Sequence, residues 1–400
     1  MSSTAQPVLV EVVDRALSGG PLGPADVVTL LEAREPGQAD LVFAAARAVR
    51  EREFGQRIFL YGFVYFSTYC RNRCTFCFYR QGNRRSPRYR KSLAEILSYS
   101  SGLAASGVHL IDLTMGEDPL FFGDPRAADL AAREPHFDEL VHLVRAVKEA
   151  VNLPVMISPG VVPEPVLHGL AGAGADWYAC YQETHNRSLY AKLRVGQDYD
   201  ERATARVHAA RAGMLTEDGL LLGVGESIAD RAQSILEMCR EDVAQARVMG
   251  FVPQAGTPLA RHHPAATLDE QLAIAAIRLV APDRLIPASL DVEGIAGLEP
   301  RLQAGANVVT SIVPPVSGLG GVAQAELDID AGRRTVAGVM EHLPSLGLSP
   351  ASAAEYATWV AKRKGRQAET LSATFTKAAS PSAALPSAAA PGSVREWPCG

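Results

Sequence analysis

Eight short apolar stretches, rich in β-branched and aromatic residues, alternate along this chain with stretches of helical periodicity, and that alternation restricts the fold more than any other feature. The strand-like stretches are 58–66, 108–114, 153–158, 175–181, 218–223, 244–251, 284–290 and 307–312. Between them, apolar residues return at helical spacing over 92–106, 137–150, 164–172, 200–213, 230–240, 267–280 and 295–304. A parallel neighbour strand is reached only through a crossover, so strand–helix alternation predicts a parallel α/β sheet. Eight units fit a closed (βα)8 barrel of the TIM type, with a doubly wound open sheet as the competing arrangement.

Residues 1–55 read as helical, with Pro24 near the start of one segment (Leu22 to Arg34) and Pro36-Gly37 ahead of the next (Gln38 to Arg52). We expect them to form an N-terminal helical cap and residues 56–365 to form the barrel. From residue 366 to 400 the chain is rich in Ala, Ser and Pro, most of all over Ala378 to Pro391, and this composition predicts a disordered tail. The net charge of −5 argues against a non-specific nucleic-acid partner, which needs a basic face. No apolar run approaches the roughly 20 residues that span a bilayer. The segment from Met1 to Asp14 lacks the basic start and apolar centre of a signal peptide, so a cytoplasmic location with no membrane partner is expected.

Six cysteines are unevenly placed: Cys70, Cys74 and Cys77 are clustered, while Cys180, Cys239 and Cys399 are scattered. This is not a disulfide framework. The cluster, in Thr68-Tyr69-Cys70-Arg71-Asn72-Arg73-Cys74-Thr75-Phe76-Cys77-Phe78-Tyr79, directly follows the first strand. Three thiolates at spacing C-x3-C-x2-C can hold three corners of an iron–sulfur cube. No fourth cysteine lies in the loop to close a structural zinc site, although a remote His could complete one.

In this arrangement the sequence resembles the radical S-adenosylmethionine superfamily. The resemblance implies one [4Fe–4S] cluster on Cys70, Cys74 and Cys77, whose open iron chelates the amino and carboxylate groups of S-adenosylmethionine. It also implies an electron donor such as a flavodoxin or ferredoxin, and reductive release of a 5′-deoxyadenosyl radical. Chemistry in such a barrel sits at the C-terminal strand ends. After strand two, Glu117 in Met115-Gly116-Glu117-Asp118-Pro119 resembles the acid that holds the methionine ammonium, though the segment also reads as an ordinary turn. After strand four, Glu183 resembles the acid that binds cofactor hydroxyls in biotin synthase-like relatives. Arg194 offers a fork for the methionine carboxylate, or a surface salt bridge. Gly223 and Gly225 let backbone approach a flat ligand such as adenine.

A second set lies within strands. Asp112 is in strand two, Arg247 in strand six, and Ser289 and Asp291 end strand seven, where side-chain alternation predicts that they point the same way. Charges inside apolar strands are costly unless paired. Two acids and one Arg suit a ligand with two ammonium groups and a carboxylate, such as lysine; an internal Asp–Arg salt bridge is the other reading. Ile58-Phe59-Leu60-Tyr61-Gly62-Phe63-Val64-Tyr65-Phe66, Lys192-Leu193-Arg194-Val195-Gly196-Gln197-Asp198-Tyr199 and Ile286-Pro287-Ala288-Ser289-Leu290-Asp291 resemble the methylornithine synthase family of pyrrolysine biosynthesis. That closer resemblance, over roughly residues 25–365, implies an isomerase that turns L-lysine into (3R)-3-methyl-D-ornithine. It gives Arg247 the substrate carboxylate, Ser289 and Asp291 the α-amino end, and Asp112 an amino group. Action on another amino acid, a sulfur-inserting enzyme with a second cluster, and a non-catalytic iron–sulfur scaffold are the alternatives.

Overall fold

A computed structural model describes residues 5–314 and 333–378. Eight parallel strands form its centre: β1 (Arg57–Ser67), β2 (Leu110–Met115), β3 (Val155–Ser158), β4 (Ala175–Ala179), β5 (Leu215–Leu222), β6 (Gln245–Gly250), β7 (Pro287–Ser289) and β8 (Val308–Ile312). Their order, β6-β5-β4-β3-β2-β1-β8-β7, wraps the sheet round on itself. Between β6 and β7 the described residues pair only at a Gln245–Leu285 bridge near the base. The expected α/β barrel is therefore present, nearly closed.

Strand residues alternate between the lumen and the surrounding helices. Phe59, Tyr61, Leu110, Met156, Trp177, Leu215 and Val308 point inward and form an apolar cluster in the lower lumen. The intervening residues, such as Leu60, Ile111, Ile157, Tyr178 and Val309, join the larger core beneath the helices. One step further up the same inward rows stand Asp112, Glu217, Arg247 and Thr310. The period of two thus places a polar layer directly above an apolar one.

Two of the remaining elements, β7 and the C-terminal helix, differ from expectation. The N-terminal helices Ala5–Leu17, Pro24–Leu31 and Pro36–Phe54 pack against Ile228–Arg240 and Thr267–Val280, and Phe54 at the end of the third meets Phe59 of the base cluster. Arg50 on the last of the three donates to the carbonyl oxygens of Leu302 and Ala306 at 2.5 and 3.3 Å. β7 is three residues long rather than seven; Pro287 has no N–H to donate, and the chain turns after Leu290. Lastly, a helix runs from Ala353 to Ala378, across the boundary set at residue 366, while the rest of the expected tail lies outside the described residues. This helix closes the base of the barrel: the Tyr356 hydroxyl pairs with that of Tyr61 at 2.8 Å and Trp359 stacks on Trp177. No described helix is long and apolar enough to cross a membrane.

Tyr356 is 1% exposed, so its aromatic bulk matters more than its hydroxyl. Tyr356→Ala is expected to cost about 3–5 kcal/mol of unfolding free energy, as for other buried aromatic truncations. Tyr356→Phe is expected to cost about 1 kcal/mol. Denaturant titration of the two variants separates the contributions.

Candidate active site

The three cysteines lie on an irregular segment that leaves the top of β1. Without a ladder, its carbonyl groups need other donors. Arg88 supplies them to Thr68, to Tyr79 at 2.9 Å and to Arg80 at 2.8 Å. Arg80 Nε donates to Cys74 O at 3.0 Å, and Asn83 Nδ2 to Phe78 O at 2.8 Å. Beneath the segment, Phe63, Tyr65, Tyr79 and Val313 form an apolar floor against which Cys77 packs. At its flank, the fully buried Asp118 accepts two bonds from Arg90, both 2.7 Å, and one from Ser67 Oγ at 2.5 Å. The end of β2 meets the loop so closely that a Cβ on Gly116 would fall 2.3 Å from Tyr69 O and 2.7 Å from Cys70 Cβ.

Burial, and then the neighbouring Cys74, push the Cys70 thiol up to about 12; Cys77 is raised for the same reasons. A metal group taking these sulfurs as thiolates must therefore displace their protons. Cys74 Sγ accepts a bond from Gln197 Nε2 at 3.1 Å and lies 3.9 Å from Arg194 Nη1. Buried Arg194 Nε has no protein partner among the described residues. Thiol donors, polar groups aimed at sulfur and an orphaned guanidinium nitrogen fit an iron–sulfur cluster with a bound anionic ligand.

The residues expected to hold S-adenosylmethionine surround that loop. Glu117 is buried and already engaged: Arg71 Nε donates to Oε2 at 3.0 Å, the Val161 amide to Oε1 at 3.2 Å, and Arg202 stands 3.6 Å away. Gly160, with φ of +89°, makes room for it, since a Cβ there would lie 2.4 Å from Glu117 Cγ. Glu183 and Arg194 form a pair at 2.5 Å, so Arg194 is a buried ion-pair partner and not a surface one. Burial raises the Glu183 carboxyl, an effect that Arg194 opposes. Glu183 has φ of +68°, uncommon for a residue with a Cβ; bonds from its amide to Gly219 O (2.9 Å) and from Leu221 to its carbonyl (2.8 Å) hold it there. After β5, Gly223 and Gly225 have φ of +84° and +106°, and Glu226 accepts from the amides of Gly223 and Val224.

Above the apolar plug, Arg247 Nε donates to Glu217 Oε1 at 2.7 Å and its Nη1 to Thr310 Oγ1 at 3.1 Å. Tyr181 donates to the same carboxylate at 3.2 Å and lays its ring 5.5 Å from the Arg247 guanidinium. Gly219, beside Arg247 in the β5–β6 register, leaves space that a Cβ would take from Arg247, Met249 and Tyr181. Asp112, next on the circuit, accepts from Thr114 Oγ1 at 2.9 Å. Burial first, and Glu217 second, push its carboxyl up to about 7. Asp291 lies beyond the end of β7, so strand alternation does not set its direction. Its amide donates to Ser289 Oγ at 3.3 Å and its carboxylate accepts from Arg334 at 2.9 Å.

An internal salt bridge does exist in this layer, but its acid is Glu217 and not Asp112. Glu217, Arg334, Tyr181 and Gln197 join the expected residues. Strand five begins at Leu215 and not at the expected 218, which puts Leu215, Glu217 and Gly219 on one inward row. Arg334 is separated from Asp291 by too much chain for spacing to link them.

The Radical SAM superfamily model matches residues 64–238. The chain is 43% identical over 343 residues to 3-methylornithine synthase of Methanosarcina barkeri, covering 86% of this chain and 94% of that one. It is 42% identical to 3-methylornithine synthase of Methanosarcina acetivorans, covering 86% and 95%. A crystal structure of methylornithine synthase superposes with a TM-score of 0.80 at 42% identity, over 87% of this chain and 99% of that one. With likeness at this level along nearly the whole of each relative, the chain belongs to the 3-methylornithine synthase family of radical S-adenosylmethionine enzymes.

Proposed function

We propose that this enzyme rearranges L-lysine to (3R)-3-methyl-D-ornithine, the first step towards pyrrolysine, in the cytoplasm and with electrons from a flavodoxin or ferredoxin. Membership in the family, over almost the relatives' full length, carries the reading. The charges at the strand ends agree with it.

When bound, the cluster and S-adenosylmethionine supply a 5′-deoxyadenosyl radical. Cys70, Cys74 and Cys77 would hold the cluster. Gln197 and Arg194 donate towards Cys74 Sγ, which stabilises added negative charge on the sulfur. Glu117 and Glu183 would take the cofactor's ammonium and hydroxyl groups, with Arg194 at its carboxylate and the backbone at Gly223 and Gly225 under its adenine. Across the lumen, Asp112 would take a substrate amino group, and Ser289 with Asp291 the α-amino end. Arg247 would take the substrate carboxylate through Nη2, which has no partner among the described residues. Glu217 is a positioning residue: it fixes the fork of Arg247 and keeps that charge paired while the lumen is empty. The apolar plug and the Tyr61–Tyr356 pair close the base against water, which would quench reactive fragments.

Three outcomes test this reading. Reconstituted enzyme given isotopically labelled lysine, S-adenosylmethionine and dithionite is expected to release labelled methylornithine, identified by mass spectrometry. Deoxyadenosine without methylornithine would remove lysine as the substrate.

Asp112 sets a pH dependence. A protonated carboxyl does not attract an ammonium, so the lysine Kd of the loaded enzyme is expected to rise about tenfold per pH unit below about 7 and to level off above it. Asp112→Asn is expected to bind weakly and without this slope; a wild-type Kd that stays flat takes Asp112 out of the amine site. The same raised pKa means that the empty folded state keeps a proton which the unfolded chain has lost. Stability therefore falls as pH rises from about 4 to about 7, and Asp112→Asn is expected to melt higher than wild type above that window.

Gln197→Leu removes a donor from Cys74 and is expected to make the cluster's reduction potential more negative. Redox titration followed by electron paramagnetic resonance reads the shift; an unchanged potential separates Gln197 from the cluster.

A further inference from the structure

The cysteine-bearing segment is the most one-sided stretch of charge in the chain. Residues 70–91 contain seven arginines, one lysine and no acid, in a protein with 39 Lys and Arg against 44 Asp and Glu. Part of that charge has structural work. Arg80 and Arg88 satisfy loop carbonyls, and Arg71 and Arg90 pair with Glu117 and Asp118. Arg73, Arg84 and Arg85 do neither: they are exposed, with no side-chain partner among the described residues.

Two neighbouring segments extend the same charge. Residues 252–266 also lack acids, and they pack on the loop through bonds from Asn83 Nδ2 to Ala255 O (2.9 Å) and from the Leu259 amide to Thr75 O (3.4 Å). They bring the exposed Arg261. The helix Arg187–Leu193 is joined by the Thr75 amide to Leu193 O at 2.8 Å and adds the exposed Lys192. Val195, 37% exposed, supplies an apolar contact beside them. Like charges gathered this way repel one another and do nothing for the fold, whereas they raise the encounter rate with an acidic partner. Their place on and beside the cysteine loop, with Cys70 and Cys77 only half-buried, puts that partner next to the cluster ligands.

We propose that the surface around Arg73, Arg84, Arg85, Lys192 and Arg261 docks a small acidic protein that carries a one-electron donor, a flavin or an iron–sulfur centre. The donor is oxidised by one electron and the cluster reduced by one; no bond is made or broken at the surface. The proposal rests on the radical reading above and adds the site and charge of its redox partner. A nucleic acid is the other polyanion such a surface could meet; the acidic chain as a whole and the position over the cysteines favour the protein.

The test uses full-length, cluster-loaded enzyme and an acidic flavodoxin. Calorimetry gives the flavodoxin Kd, and deoxyadenosine formation is followed separately with reduced flavodoxin and with dithionite. Arg84→Glu, Arg85→Glu and Arg261→Glu combined are expected to weaken the Kd about tenfold or more at low salt, with the gap narrowing as salt screens the charges. Dithionite-driven turnover is expected to stay within about twofold of wild type. Lys362→Glu, exposed on the helix that closes the opposite end, is expected to change neither. An unchanged Kd in the triple variant overturns the proposal, as does an equal loss in Lys362→Glu, or a DNA duplex that binds more tightly than flavodoxin and displaces it. Absence of deoxyadenosine with dithionite in wild type would instead sink the radical reading, and the Kd comparison would still decide the docking surface.

Discussion

A charge placed inside a barrel must find its partner inside the barrel, and most of the upper half of this molecule follows from that constraint. The lumen is apolar at its base, where Phe59, Tyr61, Trp177 and Tyr356 fill it. One layer higher, Arg247 is tolerated because Glu217 and Thr310 meet it, and Glu217 because Arg247 and Tyr181 meet it. Asp112 has only a hydroxyl and the more distant pull of Arg247, and it responds by holding its proton to about pH 7. Paired charges give a stable empty enzyme; the underpaired one is left with the most to gain from a cationic ligand.

The cysteine end follows a related rule. A loop that cannot use ladder hydrogen bonds is fixed by arginines instead, with Arg88 and Arg80 on its carbonyls and Arg90 on Asp118. Arg194 and Gln197 extend this set to Cys74. Guanidinium groups serve here because each reaches several acceptors at once and stays charged when buried. Their cost is a rim of positive charge that the fold does not neutralise.

Period and spacing were the legible parts of the sequence. The alternation of strands and helices predicts the barrel, and C-x3-C-x2-C after the first strand predicts a cysteine-bearing loop at its top, because both are properties of neighbouring residues. Pairings between distant segments were not legible. Glu183 and Arg194, eleven residues apart, read as an unconnected acid and base until the helix Arg187–Leu193 brings them together. Glu217 with Arg247 and Asp291 with Arg334 depend on which strands and strand ends the fold brings together. The helix from Ala353 was hidden because alanine favours both an extended helix and a low-complexity tail, and only the aromatic contacts of Tyr356 and Trp359 decide between them.

The seam between β6 and β7 gives the barrel an uneven stiffness. Everywhere else, spreading two strands means breaking a ladder; here it means giving up the bonds from Ala246 to Leu285 and from Leu285 to Ala244, together about 2 kcal/mol. A hoop with one lightly fastened stave flexes there first. Arg247 stands on one side of that seam and Ser289 on the other, so a ligand held by both residues would tie the two strands together where the ladder does not.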